Sequence, residues 1–362
     1  MAKPRRMAQP MRLKIEARLE PSAALLYGTP VLAIALTVLS GFFLFALMGY
    51  EPLTALYFFF VAPLLTLFGL SEIMLKAAPL ILIAVGLAMG FKANVWNIGA
   101  EGQLTCGAIA GGGIALWLWG DEGIWILPLI CAAGILGGLL YAAIPAFLKT
   151  RFEVNEILTS LMLSYVATLM LSALVFGPWK DPMGFNFPQS RMFTEAAILP
   201  IVLEGTRLHA GAVVALLIAV AVWVLMSFTI VGFQLRVVGL APAAARFAGF
   251  DRKKLIWLSL LASGGLAGLA GTFEVVGPIG QLVPVISPGY GFTAIIVAFL
   301  GRLHPLGIIA AGFLMALSYI GGENAQVEVG LPQAVTGVFQ GLLLFFLLAS
   351  DFLASYRIRR MP

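Results

Sequence analysis

The sequence predicts an all-α polytopic membrane protein with about ten transmembrane helices, an inverted repeat and broken or re-entrant segments. Composition comes first: 61% of the 362 residues are hydrophobic and 11% are charged, where soluble domains carry about 25% charged residues. A mean hydropathy of +1.00 over the whole length requires several spans rather than one anchor. The Lys and Arg residues, finally, cluster in short segments between apolar runs, as orientation signals do. The same composition excludes a soluble enzyme and a disordered chain. The net charge of +5 forms no basic face, so nucleic acid is not an expected partner.

The chain opens with a basic cytoplasmic tail over residues 1–29, carrying Lys3, Arg5, Arg6, Arg12, Lys14 and Arg18. Within it, Arg12–Leu19 is compatible with a short amphipathic helix on the inner membrane surface or with a disordered tail. The first span follows at Pro30–Gly49, too long for the apolar region of a cleaved signal. Glu51–Leu70 is apolar but interrupted by Pro52 and Pro63, and is expected to lie at the external interface. Further spans are expected at Ile73–Phe91, Leu104–Trp119, Ile124–Leu148, Ile157–Phe176, Ala210–Val231, Leu255–Val275, Phe292–Leu303, Leu306–Ile320 and Gln333–Phe352. The transmembrane domain thus covers residues 30–353, and a cytoplasmic tail covers 354–362.

Ten crossings put both termini on one side. With that side cytoplasmic, eighteen of the 22 Lys and Arg residues face inward, leaving Lys76, Lys180, Arg191 and Arg207 outside. Counting Glu51–Leu70 as a span inverts every later loop and destroys this bias. Phe292–Leu303 is too short to cross about 30 Å of hydrocarbon at about 1.5 Å per residue, and a Gly- and Pro-rich stretch, Gly277–Gly291, precedes it. A broken hairpin beside a translocation path is expected there, because non-helical backbone at membrane depth needs protein or water around it.

Several chemistries are missing from the sequence. No P-loop, His-Glu-x-x-His or Gly-x-Ser-x-Gly run occurs, so neither phosphate cradling nor those hydrolytic sites are available. Cys106, Cys131, His209 and His304 form no pairs at metal-ligand spacing, and no metal, catalytic residue or cofactor is expected in this chain.

The polar residues within the apolar body need an explanation. Asn94, Trp96, Asn97, Glu101 and Gln103 stand in F-K-A-N-V-W-N-I-G-A-E-G-Q-L, between two spans. They read either as a broken helix facing a solute path or as an internal loop capping the next helix. Glu274, Gln281, Tyr290 and Phe292 are the corresponding candidates in the second half, with Trp96 or Phe292 offering a ring for stacking. The glycines of Gly264–Gly271 suit close helix packing.

The internal loop 232–254 contains G-L-A-P-A-A-A-R-F-A-G-F. Pro242 suits a helix start and Gly249 its end. This short helix is either a docking element for a cytoplasmic protein or a membrane-surface helix.

Three stretches carry a family resemblance: N-V-W-N-I-G-A-E-G-Q (Asn94–Gln103), G-L-A-P-A-A-A-R-F-A-G-F (Gly239–Phe250) and S-P-G-Y-G-F-T-A-I-I-V-A-F-L-G (Ser287–Gly301). In this order they resemble permease subunits of ABC importers of the ribose, galactose and nucleoside type, nearest to the nucleoside branch served by basic-membrane-protein lipoproteins. The resemblance spans Ile73–Tyr356. It implies an inner-membrane permease with no enzyme activity, importing a nucleoside or, as the alternative, a sugar. It also implies a P-loop ATPase that binds ATP and Mg, a second and paralogous permease chain, an extracytoplasmic solute-binding protein and surrounding lipid. The family's coupling helix falls on Gly239, Pro242, Arg246, Phe247 and Gly249, with Ala241 where relatives often have Asn. An ion-coupled secondary transporter using Glu101 or Glu274 and a membrane scaffold are the rivals from other classes.

Overall fold

A computed structural model describes residues 12–17 and 23–361. The expectations for the tail at residues 1–11 and 18–22 lie outside the described residues. The order is β1 (Arg12–Ala17), α1 (Ala23–Leu47), α2 (Pro52–Leu56), α3 (Leu67–Lys92), α4 (Ala100–Trp117), α5 (Ile126–Phe152), α6 (Glu156–Phe176), α7 (Ala210–Phe228), α8 (Ile230–Leu240), α9 (Pro242–Phe247), α10 (Arg252–Glu274), α11 (Tyr290–Leu300), α12 (Pro305–Val329), α13 (Ala334–Ser355) and β2 (Tyr356–Met361). Seven helices are long and apolar enough to cross a membrane among the described residues, and shorter apolar helices accompany them. Every one of the ten expected spans carries a helix.

One expectation is corrected. Arg12–Leu19 does not contain a helix over its described part: Arg12–Ala17 is a strand, paired antiparallel with β2 from Arg12↔Met361 to Ala17↔Tyr356. Its partner β2 lies in the segment expected as the C-terminal tail, after the end of α13. R-L-K-I-E-A alternates polar and apolar residues with the period of a strand rather than a helix. The all-α fold therefore carries one two-stranded ribbon, which brings the two terminal segments together.

The chain divides into two compact units, residues 1–57 with 326–362 and residues 58–325. In the first, α1 packs on α13. Phe45 stacks on Phe339 with ring centroids 5.5 Å apart, and Gly41 leaves room for the Phe339 ring. The Tyr50 hydroxyl donates to the Gly330 carbonyl.

In the second unit α3 and α10 form the centre and run antiparallel: Gly86 abuts Ser263, and one turn on Gly90 abuts Ser259. α4 runs parallel to α10, with Gly107 against Gly268 and Gly111 against Thr272. α5 joins them through Gly134 against Thr272 and Gly138 against Gly264 and Gly268. Missing side chains at these positions let backbones approach to a distance no larger residue permits, which is how helices gain dispersion energy when lipid removes the hydrophobic drive. The segment before α3 is a short apolar helical stretch, Pro52–Leu64. A π-turn at Tyr57–Val61 and a 3-10 turn at Ala62–Leu64 break it, and Phe59 lays its backbone on Gly321 of α12. The Thr66 side chain then caps α3 by accepting from Gly69 N, so that helix starts at Leu67 rather than at Ile73.

Both irregular stretches interrupt helices. α3 ends in a turn with Asn94 left-handed at φ +56°, and residues 95–99 return the chain to α4. α10 ends in a π-turn at Val275–Ile279, after which residues 280–289 lead back to α11. α3 and α10 are antiparallel, so the two helix–break–helix units are inverted relative to each other.

Candidate functional site

The inverted units meet N-terminus to N-terminus. Gly291, in the first turn of α11, lies against the Ala100–Glu101 backbone at the start of α4 so closely that a Cβ has no room. The first turn of a helix has N–H groups without helical partners and a partial positive charge. Glu101 answers both: its carboxylate accepts from Gly291 N at 2.6 Å. The Ser287 hydroxyl accepts from Gly289 N and Tyr290 N at 3.1 and 2.8 Å. Gly291 lies about 15 Å along α11 from its far end, so this junction is at depth in the apolar body.

On the α4 side, Asn97 and Gln103 are 2% and 1% exposed and bond each other reciprocally. Asn97 Nδ2 donates to Gln103 Oε1 at 2.7 Å and to Ser263 Oγ at 3.0 Å. Asn97 Oδ1 accepts from Gln103 Nε2 and Gly99 N, both at 3.1 Å. Ser160 and Ser164 of α6 accept from Ile98 N and Gly102 N. The amides thus hold the break to α4 and α10, and the two serine hydroxyls tie it to α6. Their hydrogen bonding is directed into the protein.

From the junction a polar tract runs toward the loop bearing Arg207. Tyr290 is fully buried, and its hydroxyl accepts from Lys76 Nζ at 2.9 Å. Its ring meets Tyr319 edge-on at 5.6 Å, and the Tyr319 hydroxyl pairs with Thr293 Oγ1 at 2.9 Å. Glu274, 6% exposed, is within electrostatic reach of Lys76 and Arg207. Arg207 itself grips Glu72 bidentately at 3.0 and 2.5 Å. Toward the other end, Phe91, Trp96 and Phe299 stack with centroids 4.9, 5.3 and 6.0 Å apart.

The remaining expected residues are dispersed. The Trp96 ring, expected for solute stacking, is spent on Phe91 and Phe299, and its Nε1 donates to Asn94 Oδ1. Phe292 is 39% exposed. Gln281 approaches Gln189 at 3.4 Å, away from the junction. Cavities of about 680 and 350 Å³ open on the connections instead, one between Gly120–Leu127 and Thr194–Ala196, the other lined by Trp117, Trp179, Lys180 and Arg191.

The short helix expected between Pro242 and Gly249 is α9, with Pro242 at its first turn and Gly249 left-handed at φ +75° beyond its end. Ala241 supplies no side-chain cap. Ala245 is buried, Arg246 is exposed, and Phe247 is 94% exposed. Gly239 packs on the Lys92 carbonyl at the end of α3, which ties the segment to the same helix that carries Lys76.

A family model described as the permease component of the branched-chain amino acid transport system matches residues 69–348. The chain belongs to that permease family. It is 37% identical over 358 residues to the glucose ABC transporter permease protein TsgB13 of Haloferax volcanii, covering 96% of this chain and 94% of that one. It is 31% identical over 328 residues to the guanosine ABC transporter permease protein NupP of Bacillus subtilis, covering 89% and 92%. To NupQ, a second guanosine ABC transporter permease protein of Bacillus subtilis, it is 27% identical over 255 residues, covering 68% and 80%. The chain is accordingly a multi-pass membrane permease subunit of the ABC type.

In this permease, sequence reasoning missed Glu72, Lys76 and Arg207. Lys76 stands near the external end of the expected span, and in the fold it reaches Tyr290. The signal was present: Glu72 and Lys76 are four residues apart in an otherwise apolar run, hence on one helix face.

His209 gives the permease a pH-sensitive cap. Its Nδ1 accepts from Gly211 N at 3.1 Å at the start of α7, and burial pushes the imidazole from 6.5 down to about 4. Between those values the unfolded state binds the extra proton and the folded state does not. Stability therefore falls as pH drops through that window, by on the order of 3 kcal/mol. Thermal unfolding of the detergent-solubilised permease is expected to show this loss. His209→Asn, which keeps a capping oxygen without titrating, is expected to lose visibly less stability between about pH 7 and 4.5.

Proposed function

We propose that this permease forms the solute path of an ATP-driven importer for a nucleoside, with a sugar as the second reading. The observation that carries the proposal is the buried junction of two opposed half-helices, with a polar tract on one side and an aromatic stack on the other, in a chain of this family. Discontinuous helices with polar termini at depth are how transporters present hydrogen-bonding groups to solutes in a bilayer. Guanosine relatives favour the nucleoside, and the more similar glucose relative supports the sugar.

In this reading the chain hydrolyses nothing. ATP and Mg are bound by a separate P-loop ATPase, which docks on α9 through Arg246 and Phe247. A second, paralogous permease chain completes the path, as the existence of two guanosine permeases in Bacillus subtilis supports. An extracytoplasmic binding protein delivers solute. The permease sits in the cytoplasmic membrane with both termini and α9 inside, which the positive charge of those segments favours. Coupling is a switch between two packings of the bundle, biased by movement at α9.

Competition against radiolabelled guanosine uptake tests the solute. Suppression by other nucleosides and not by glucose or ribose is expected. Suppression by the sugars alone assigns the sugar reading instead.

A further inference from the structure

We propose that Glu274, Lys76 and Tyr290 form the hydroxyl-reading part of the path, built to take a vicinal diol. This rests on the reading that the solute is a nucleoside or a sugar. Both classes carry adjacent hydroxyls, so one set of groups would serve either.

The geometry singles out Glu274. The residue is 6% exposed, and its carboxylate accepts no hydrogen bond and joins no ion pair among the described residues. The other acids of the tract are committed: Glu101 to the start of α11, Glu72 to Arg207. Its oxygens are not among the buried side-chain atoms left without a partner, so they are open to a donor from outside the chain, and two adjacent hydroxyls are donors spaced for its two oxygens. Lys76 lies within electrostatic reach of the same carboxylate. Its ammonium has three donors and gives one to the Tyr290 hydroxyl, leaving others for a solute oxygen. The tract lies between the Arg207 loop and the junction, above the aromatic stack, where an incoming solute would first meet polar groups at depth.

The test uses the complete transporter in proteoliposomes. Import of whichever of guanosine and glucose the wild type carries is compared with import of its analogue, 2′-deoxyguanosine or 3-deoxyglucose, the latter lacking the hydroxyl shared by the 2,3 and 3,4 diols, at concentrations that saturate the binding protein with either. A site built to hydrogen-bond a hydroxyl rejects the analogue lacking it, so the wild type is expected to prefer the parent by about tenfold or more. Glu274→Gln and Lys76→Met are expected to lower import of the parent about tenfold and of the analogue far less, so that the preference collapses toward parity. A preference that survives in both variants, or a wild type without one, overturns the inference while the importer stands. If Glu274→Gln fails to insert, Glu274→Asp keeps the charge at shorter reach and must still change the preference; an unchanged ratio overturns the inference. A wild type that imports neither parent removes the transport reading itself.

Discussion

Glu101→Ala is expected to reduce solute import at least about a hundredfold while the protein still inserts. The carboxylate accepts from Gly291 N at 2.6 Å and holds the start of α11 against the start of α4. Without it a backbone N–H at depth has lost its acceptor and two positive helix ends face each other unscreened. Leaving one buried donor unpaired costs about 1–3 kcal/mol, more where a charge is involved. That is a large fraction of what holds a break in place, and small beside the packing of α3, α4, α5 and α10. Thermal unfolding in detergent should show a loss of that order. Glu101→Gln retains an acceptor oxygen and loses only the charge, so it is expected to recover part of the stability and less of the transport. Equal, wild-type transport in both variants would mean that the junction is a scaffold and no moving part passes through it.

The second large effect is at α9. Replacing Arg246 and Phe247 together by Ala is expected to abolish ATP-coupled transport without disturbing insertion. Phe247 is 94% exposed on a helix of six residues, so its ring is left for something outside this chain. Aromatic and Arg side chains dominate the energetics of many interfaces, where a truncation costs about 2 kcal/mol or more; two such losses lower ATPase recruitment by two to three orders of magnitude if they add. Co-purification of the ATPase with the variant reads the recruitment, and binding of solute by the external receptor should be unchanged. Normal co-purification with normal transport would leave α9 as a membrane-surface helix.

What was legible in the sequence followed from strong local signals. The Pro242 and Gly249 boundaries fixed α9 because one residue lacks an N–H and the other adopts a left-handed backbone cheaply. The glycines of Gly264–Gly271 announced close packing, and α10 does meet α4 and α5 there. The short apolar run after Gly277–Gly291 marked α11 as a half-helix. The start of α4 was less visible: Gly99 stands at its N-cap without a side-chain cap, and the first turn is satisfied by α6 and α11, which are distant in sequence. For the same reason the roles of Asn97 and Gln103 were hidden, since two amides that bond each other read like two amides that await a solute. Lys76 looked peripheral because apolar periodicity gives no depth along a 26-residue helix. The terminal ribbon depends on pairing segments more than 330 residues apart, which no local pattern encodes.

The central claim, that this chain is the path of an ATP-driven importer, is tested most directly by filling proteoliposomes bearing the permease pair and its ATPase with Mg-ATP and offering receptor-bound radiolabelled guanosine outside. Accumulation against a gradient that requires ATP hydrolysis and stops when the ATPase is omitted is the predicted result. Accumulation driven by a proton or sodium gradient with no ATPase present would contradict it.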